Sequence, residues 1–299
     1  MIDKRLVVIT PVYKKELSEN EYLSIKSSLY HLKNYNKVIV APKKFSEDQK
    51  FINMWNDYGY RVVFFEDKYF INVDSYNKLM LNKMFYSHFT DYKYMLIIQL
   101  DVLIFSNSLD YWMNKNLDYV GAPWIKNDLN GIRFNFSGNG GLSLRKIKTF
   151  ISVLESNQLI KKEDYYDVLP ISGNLKIILL LSLLFKLNFK YNATVFRFFY
   201  KKQEDFFWVF YAHFFVKEFK VANIEDSLAF AFERYPEYCF EQNNHCLPFG
   251  VHAWERYNPS FWEKHKKNLF NNSKNKENFY YKISSSKERL ITDLVPGMV

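Results

Sequence analysis

Several short stretches of the chain carry reactive side chains in places where packing or turn residues would suffice. Gln99-Leu100-Asp101 closes the apolar run Tyr94–Gln99. A carboxylate leaving the end of a buried strand is placed to hold a divalent cation against a diphosphate, because Mg²⁺ and Mn²⁺ take a few protein oxygens and complete their shell with phosphate oxygens. A solvated strand-end aspartate explains the same residue without chemistry. Ser137-Gly138-Asn139-Gly140-Gly141 concentrates three of the chain's nine glycines in a strand-like context, which points to positive φ or to close backbone approach to a ligand. A bulge or tight turn is the plainer alternative, and no Lys-Ser/Thr follows that would make a phosphate loop. Gln203-Glu204-Asp205 opens an aromatic segment, FFWVFYAHFF. Two acids at a helix start suit the helix dipole alone; a carboxyl whose pKa is raised by aromatic surroundings also suits a general base acting on a hydroxyl. Pro248–His252 (PFGVH) sets a histidine in an apolar segment. It is a metal ligand if Asp101 lies beside it and a hydrogen-bonded core residue otherwise.

The elements that must position these groups alternate along the first hundred residues. Leu6–Val12, Lys37–Ala41, Arg61–Phe65 and Tyr94–Gln99 read as strands; Leu6–Val12 is apolar throughout, as a strand covered on both faces is. Ser18 to Glu21 has the spacing of a capping box ahead of a helix carrying Tyr22, Ile25, Leu29 and Leu32. Ser46 to Gln49 is a second such box, Gly59 sits just past that helix, and Asp74 caps a third helix. Strand–helix alternation at this spacing predicts an α/β fold with a mostly parallel central sheet and helices on both faces. Ligands in such sheets sit beyond the carboxyl ends of the strands, here just after Val12, Ala41, Phe65 and Gln99, where Glu66-Asp67 and Asp101 supply acids. Beyond Asp101 the alternation breaks: Val102–Phe105 and Asp118–Ala122 read as short strands and Arg133–Leu144 as one glycine-rich strand.

Composition excludes whole classes. With 299 residues and 48 % hydrophobic side chains the chain supports a sizeable core, and 41 basic against 32 acidic residues leave a formal charge of +9. The lysines are scattered and no zinc-finger, RNP or basic-zipper pattern occurs, so nucleic acid is not an expected partner. Cys239 and Cys246 make neither a disulfide framework nor a four-cysteine zinc site, which predicts a reducing compartment. The opening MIDKRLVVITPVY reads as a first strand and not as a signal peptide. The longest apolar run, Ile177–Phe185, falls short of the roughly 20 residues that span a bilayer. The segment Lys176–Phe189 nevertheless suits either a buried helix or a membrane interface, and the basic tail from Trp262 either a solvated face or attraction to anionic lipid.

Taken in order, the strand-end acid, the glycine-rich stretch, the acid pair and the late Gly-x-His resemble the inverting glycosyltransferases of the GT-A fold. The match is to a poorly characterised glycosyltransferase-like family of bacterial capsule and lipopolysaccharide gene clusters. The resemblance is carried by SYNKLM (75–80), YMLIIQLDVLIF (94–105), LDYVGAPW (117–124), GNGGLSLR (138–145), QEDFFW (203–208) and PFGVHAW (248–254). It implies one GT-A-like, Rossmann-like domain over residues 1–261, with a nucleotide-sugar-binding half at 1–105, an acceptor-binding and catalytic half at 106–261, and a basic tail at 262–299. It implies Asp205 as catalytic base, with Glu204 as its neighbour and second candidate. Thr10, Pro11, Val12, Asn77, Lys78, Gln99 and Asp101 stand at nucleotide-sugar positions, and Asn139, Gly140 and Gly141 at the loop between donor sugar and acceptor. Asp101 and His252 are the implied ligands of a divalent cation, Mn²⁺ or Mg²⁺, with the neutral Gln99 replacing the first acid of the Asp-x-Asp motif. Without a metal, Lys78, Arg133 or Arg145 would supply the positive charge.

The expected partners are a nucleotide-sugar donor and a glycan or lipid-linked glycan acceptor, with the enzyme cytoplasmic and peripheral at the inner face of the bacterial cytoplasmic membrane. A non-catalytic carbohydrate-binding protein and a sugar nucleotidyltransferase are the competing readings; product assays separate them.

Overall fold

The apolar run at the start becomes the strand β1 (Asp3–Pro11), whose side chains from Leu6 onward are buried on both faces of a six-stranded sheet. The chain is described from a computed structural model that covers residues 2–160, 183, 192–194, 197, 200, 202–267, 269 and 270. After β1 come α1 (Glu19–His31), β2 (Tyr35–Pro42), α2 (Gln49–Asp57), β3 (Tyr60–Phe65), α3 (Val73–Met80), α4 (Lys83–Ser87) and β4 (Tyr94–Ile98). Next are β5 (Val102–Ile104), α5 (Leu109–Asn114), β6 (Tyr119–Gly121), the hairpin β7 (Pro123–Asp128) and β8 (Gly131–Ser137), β9 (Leu142–Lys146) and α6 (Ile147–Glu155). The later part holds α7 (Glu204–Phe210), β10 (Ala231–Phe232) and β11 (Gly250–His252), with short helices between and after them.

The central sheet runs β3-β2-β1-β4-β9-β6. Its first four strands are parallel, and β9 is antiparallel to both β4 and β6. A mixed α/β domain with a mostly parallel sheet is therefore present, as expected. Alternate β1 residues serve opposite layers: Val7 and Ile9 pack with Phe85, Phe150 and Trp208, whereas Leu6 and Val8 pack with Trp112 and Phe230. Each large side chain removed from water contributes ~1.5–3 kcal/mol, so helices on both faces follow from that alternation. A small sheet, β10-β11-β5, joins the far side.

Local signals were met in part. Ser18 caps α1 in a full capping box, Glu21 N–H donating to Ser18 Oγ at 3.2 Å and Ser18 N–H to Glu21 Oε2 at 2.8 Å. Gly59 follows α2 at φ +77°. Two caps differ from expectation. A 3₁₀ turn at Lys43–Phe45 takes up Ser46, and Asp48 caps α2 instead. Asn72, not Asp74, caps α3, paired reciprocally with Ser75. The single strand expected at Arg133–Leu144 is two strands in different sheets, β8 and β9, because the chain leaves the hairpin at Gly138, where φ is +127°. Leu183 apart, Lys176–Phe189 lies outside the described residues, as do the tail lysines from Lys274 onward. Among the described residues no helix is long and apolar enough to cross a membrane.

Candidate active site at the ends of β4 and β9

Two strand registers bring the predicted residues together. Ile98 of β4 lies opposite Leu142 of β9, and one step further Gln99 N–H donates to the Gly141 carbonyl at 3.0 Å. In the small sheet His252 lies opposite Val102, next to Asp101. His252 Nε2 consequently faces two oxygens, Gln99 Oε1 at 3.1 Å and Asp101 Oδ1 at 3.5 Å. Gly141 packs so closely on the imidazole that a Cβ there would overlap His252 Nε2 and Cδ2. The glycine is required by close approach to a side chain of the protein itself, where the sequence pointed to positive φ or to approach to a ligand.

The other glycine of the pair meets the acids. Gly140 N–H donates to Asp205 Oδ2 at 3.3 Å, and a Cβ on Gly140 would stand 2.5 Å from Glu204 Oε1. The two adjacent carboxylates have different fates. Glu204 receives both Arg145 nitrogens, Nη2 to Oε1 at 2.6 Å and Nη1 to Oε2 at 3.1 Å, with Arg145 fully buried. The Arg145 guanidinium also donates to Tyr86 Oη at 3.0 Å and to Ser143 Oγ at 2.9 Å. Asn77 of α3 joins the same network, its Oδ1 accepting from Glu204 N–H at 3.2 Å. Among the described residues Asp205 has no such cation. Burial, and next the charge of Glu204, push its pKa up to about 7, against weaker opposition from the Phe206 and Gly140 N–H groups. A carboxyl that titrates near neutrality holds its proton or releases it at small cost, as a general base must.

A cleft of about 460 Å³ opens beside Asp101. Its walls are Pro11, Tyr13 and Glu21 on one side, Tyr69 to Val73 and Tyr76 on another, with Gln99, Leu100 and Asp101 at the floor. Of the three residues expected after the first strand, Pro11 lines this cleft. Thr10 and Val12 are fully buried, Val12 in the core with Ile25 and Trp55, since neighbouring strand residues face opposite ways. Lys78 lies on the wall of a different cavity, with Asp74, Asn82 and Arg197. Arg133 is bound to Asp128 at the hairpin, and Arg145 is spent on Glu204. None of the three basic residues expected to neutralise a diphosphate reaches Asp101, and among the described residues the cleft lining holds two acids and no lysine or arginine. Lys14, near its mouth, is paired with Glu21 at 2.7 Å. Of the acids after β3, Glu66 pairs with Lys68, and Asp67 Oδ1 accepts from Lys44 N–H at 2.8 Å.

Glu233 was not anticipated. Its Oε1 lies 3.2 Å from His252 Nδ1 and accepts from Asn139 Nδ2 at 3.0 Å, while Asn139 Oδ1 accepts from Gly141 N–H at 2.9 Å. One carboxylate oxygen thus ties the glycine loop to the histidine. Burial alone lowers the His252 pKa, but Glu233 and Asp101 together raise it above the usual imidazole range. Within AFERYPEY nothing distinguishes Glu233 from a surface acid. Its one sequence signal is distance from the alternation of the first half.

Among the described residues no group of three His, Cys, Asp or Glu side chains holds a metal by itself. The mixed set of Asp101, His252 Nε2 and Gln99 Oε1 still fits a divalent cation that completes its shell with substrate oxygens. The separations of 3.1 and 3.5 Å are near the ~3 Å between adjacent ligands of an octahedral ion with ~2.1 Å bonds. The carboxylate behind His252 is the usual orienting partner of a metal-binding imidazole.

The family model of the DUF5672 proteins, described as of unknown function, matches residues 59–252, and the chain belongs to that family. No curated protein matches it. Among solved structures it is similar to the bifunctional glycosyltransferase WbbM, at 12 % identity over 93 % of this chain and 52 % of that one, with a TM-score of 0.43. It is similar also to the glycosyltransferase GlyE of Streptococcus pneumoniae TIGR4, at 14 % identity over 90 % and 62 %, TM-score 0.39. A third similarity is to the galactosyltransferase LgtC with donor and acceptor sugar analogues, at 14 % identity over 88 % and 95 %, TM-score 0.41. The chain thus spans little more than half of the first of these and under two thirds of the second.

The unequal partnering of the two acids has a measurable consequence. Glu204→Gln strands a fully buried guanidinium and is expected to cost ~3–5 kcal/mol of unfolding free energy in chemical denaturation. Asp205→Asn, which breaks no ion pair, is expected to fold with no such loss.

Proposed function

We propose that this DUF5672 protein is an inverting glycosyltransferase that moves a sugar from a nucleotide-diphosphate donor to a hydroxyl of a glycan acceptor. One observation carries the reading: a single glycine loop touches Asp205, with its pKa near 7, on one side, and His252 beside Asp101 on the other. That arrangement supports an acceptor base and a cation-holding strand end on either side of a donor sugar. The acceptor class, a surface or lipid-linked glycan, and a cytoplasmic place peripheral to the bacterial membrane belong to the same proposal.

In this scheme the nucleoside lies in the aromatic cleft by Tyr13, Tyr69 and Tyr76, with the diphosphate toward Asp101. Because that lining carries no basic side chain among the described residues, Asp101, His252 and Gln99 are the residues that would hold a divalent cation, and the oxygen–imidazole set favours Mn²⁺. When bound, the cation neutralises the diphosphate and eases its departure. Asp205 accepts the proton of the acceptor hydroxyl, whose oxygen forms a bond to the anomeric carbon from the face opposite the diphosphate. The carbon–oxygen bond to the diphosphate breaks with its electron pair going to the phosphate oxygen, which inverts the anomeric centre. The Phe206 and Gly140 N–H groups hold the two Asp205 oxygens in place, at 2.8 and 3.3 Å.

Asp205 supplies the first test. Transfer is expected to rise with pH through about 7 and then level. Asp205→Asn should lower the rate by ~10²–10⁴-fold. The folded carboxyl binds its proton more tightly than the unfolded one, whose pKa is ~3.9, so wild-type stability is present below that value and drops as pH rises toward 7. Asp205→Asn should therefore melt higher than wild type at pH 8, with the gap closing near pH 4. Undiminished transfer by a folded Asp205→Asn would remove the residue from this role.

The donor side is tested by thermal shift with nucleoside diphosphates, with and without Mn²⁺. A nucleotide at ~100 times its Kd adds ~2.7 kcal/mol, several degrees in Tm. The gain is expected to need Mn²⁺ and to be lost in Asp101→Asn. Absence of any nucleotide response would sink the transferase reading.

A further inference from the structure

Trp124 stands at the head of β7 with its indole laid on α7. The ring centroid is 4.4 Å from that of Phe206, with 21° between the planes, and 5.9 Å from that of Phe210, with 22°. Phe136, the cross-strand partner of Trp124, closes the edge, its ring 4.6 Å from Phe210 and side chain 44 % exposed. The other five tryptophans are 0–1 % exposed, so Trp124 is the one tryptophan that solvent reaches in part. Among the described residues no further ring stacks on its outer face. The stack adjoins the chemistry: Phe206 N–H donates to Asp205 Oδ1 at 2.8 Å, and the Ala122 carbonyl, two residues before Trp124, accepts from the Gly138 and Asn139 N–H groups.

We propose that Trp124, with Phe206 and Phe210 behind it, is the acceptor subsite, where a pyranose ring lays its C–H face on the indole and turns a hydroxyl toward Asp205. The inference rests on Asp205 being the base of the transfer. A pyranose is about the size of one aromatic ring, with apolar C–H groups on its face and hydroxyls around its edge, and an isolated aromatic face with polar borders complements that pattern. The borders here are the Lys126–Asp128 and Arg133–Asp128 pairs along the hairpin, at 3.0 and 2.6 Å, and Asn139 toward the cleft.

The test is saturation-transfer NMR on the full chain with methyl β-D-glucopyranoside, methyl β-D-galactopyranoside and octyl β-D-glucopyranoside. Ring C–H protons of at least one glycoside are expected to receive saturation. Trp124→Ala should weaken that binding about tenfold and Trp124→Phe restore most of it. Equal binding by Trp124→Ala, no ring saturation with any glycoside, or saturation confined to the octyl chain would each overturn the subsite. If Trp124→Ala does not fold, wild-type tryptophan emission reads the same site: a saturable shift with a methyl glycoside supports it and an unchanged spectrum overturns it. Failures are separable. Nucleotide binding without pyranoside binding overturns this subsite alone, whereas pyranoside binding without nucleotide binding overturns the transfer reading and leaves a carbohydrate-binding surface.

Discussion

A fully buried arginine on a sheet strand is costly to keep, and most of the site is arranged around meeting that cost. Removing two charges from water carries a penalty of several kcal/mol for each ion, offset only when the pair is close and its remaining hydrogen-bonding groups are matched. Arg145 meets the condition through Glu204, Tyr86 and Ser143, while Glu204 N–H is matched by Asn77. Strand β9, helices α3, α4 and α7 and the glycine loop are thereby fixed to one charge pair. The same pair determines where Asp205 sits, since it is the next residue along α7.

That placement explains how two neighbouring acids divide their duties. Glu204 is bound by Arg145 and structural; Asp205 is buried beside it with no cation of its own among the described residues. Burial without a paired cation is what raises the Asp205 pKa. The cleft repeats the logic with opposite sign. Among the described residues its lining holds Glu21, paired with Lys14, and Asp101 with no lysine or arginine beside it, which suits an anion that arrives with a cation better than a bare one.

The frame of the molecule was legible where local physics decides it. Apolar runs marked β1 to β4, Ser18 and Glu21 marked the start of α1, and the rule of strand ends directed attention to Asp101. Competition between nearby cap residues blurred the starts of α2 and α3, because Ser46 and Asp48, or Asn72 and Asp74, offer the same chemistry two residues apart and a turn upstream selects between them. The site itself was legible as a set of residues and not as a set of contacts. Arg145 was expected to face a diphosphate and Glu233 reads as a surface acid, and each acquires its actual part only from a partner 59 or 94 positions away. Thr10 and Val12 failed to reach the cleft for a simpler reason: they flank Pro11 on an alternating strand.

The reversal of β9 separates what is held rigid from what is left free. Because its first residue abuts the last of β4, the backbone between Ala122 and Gly138 enters and leaves at nearly one point, anchored by Ile125 in the core and by Trp124 on α7. Lengthening the turn at its far end leaves the register beneath it unchanged. Change along the borders of Trp124 can then proceed without disturbing the glycine loop or the Arg145–Glu204 pair.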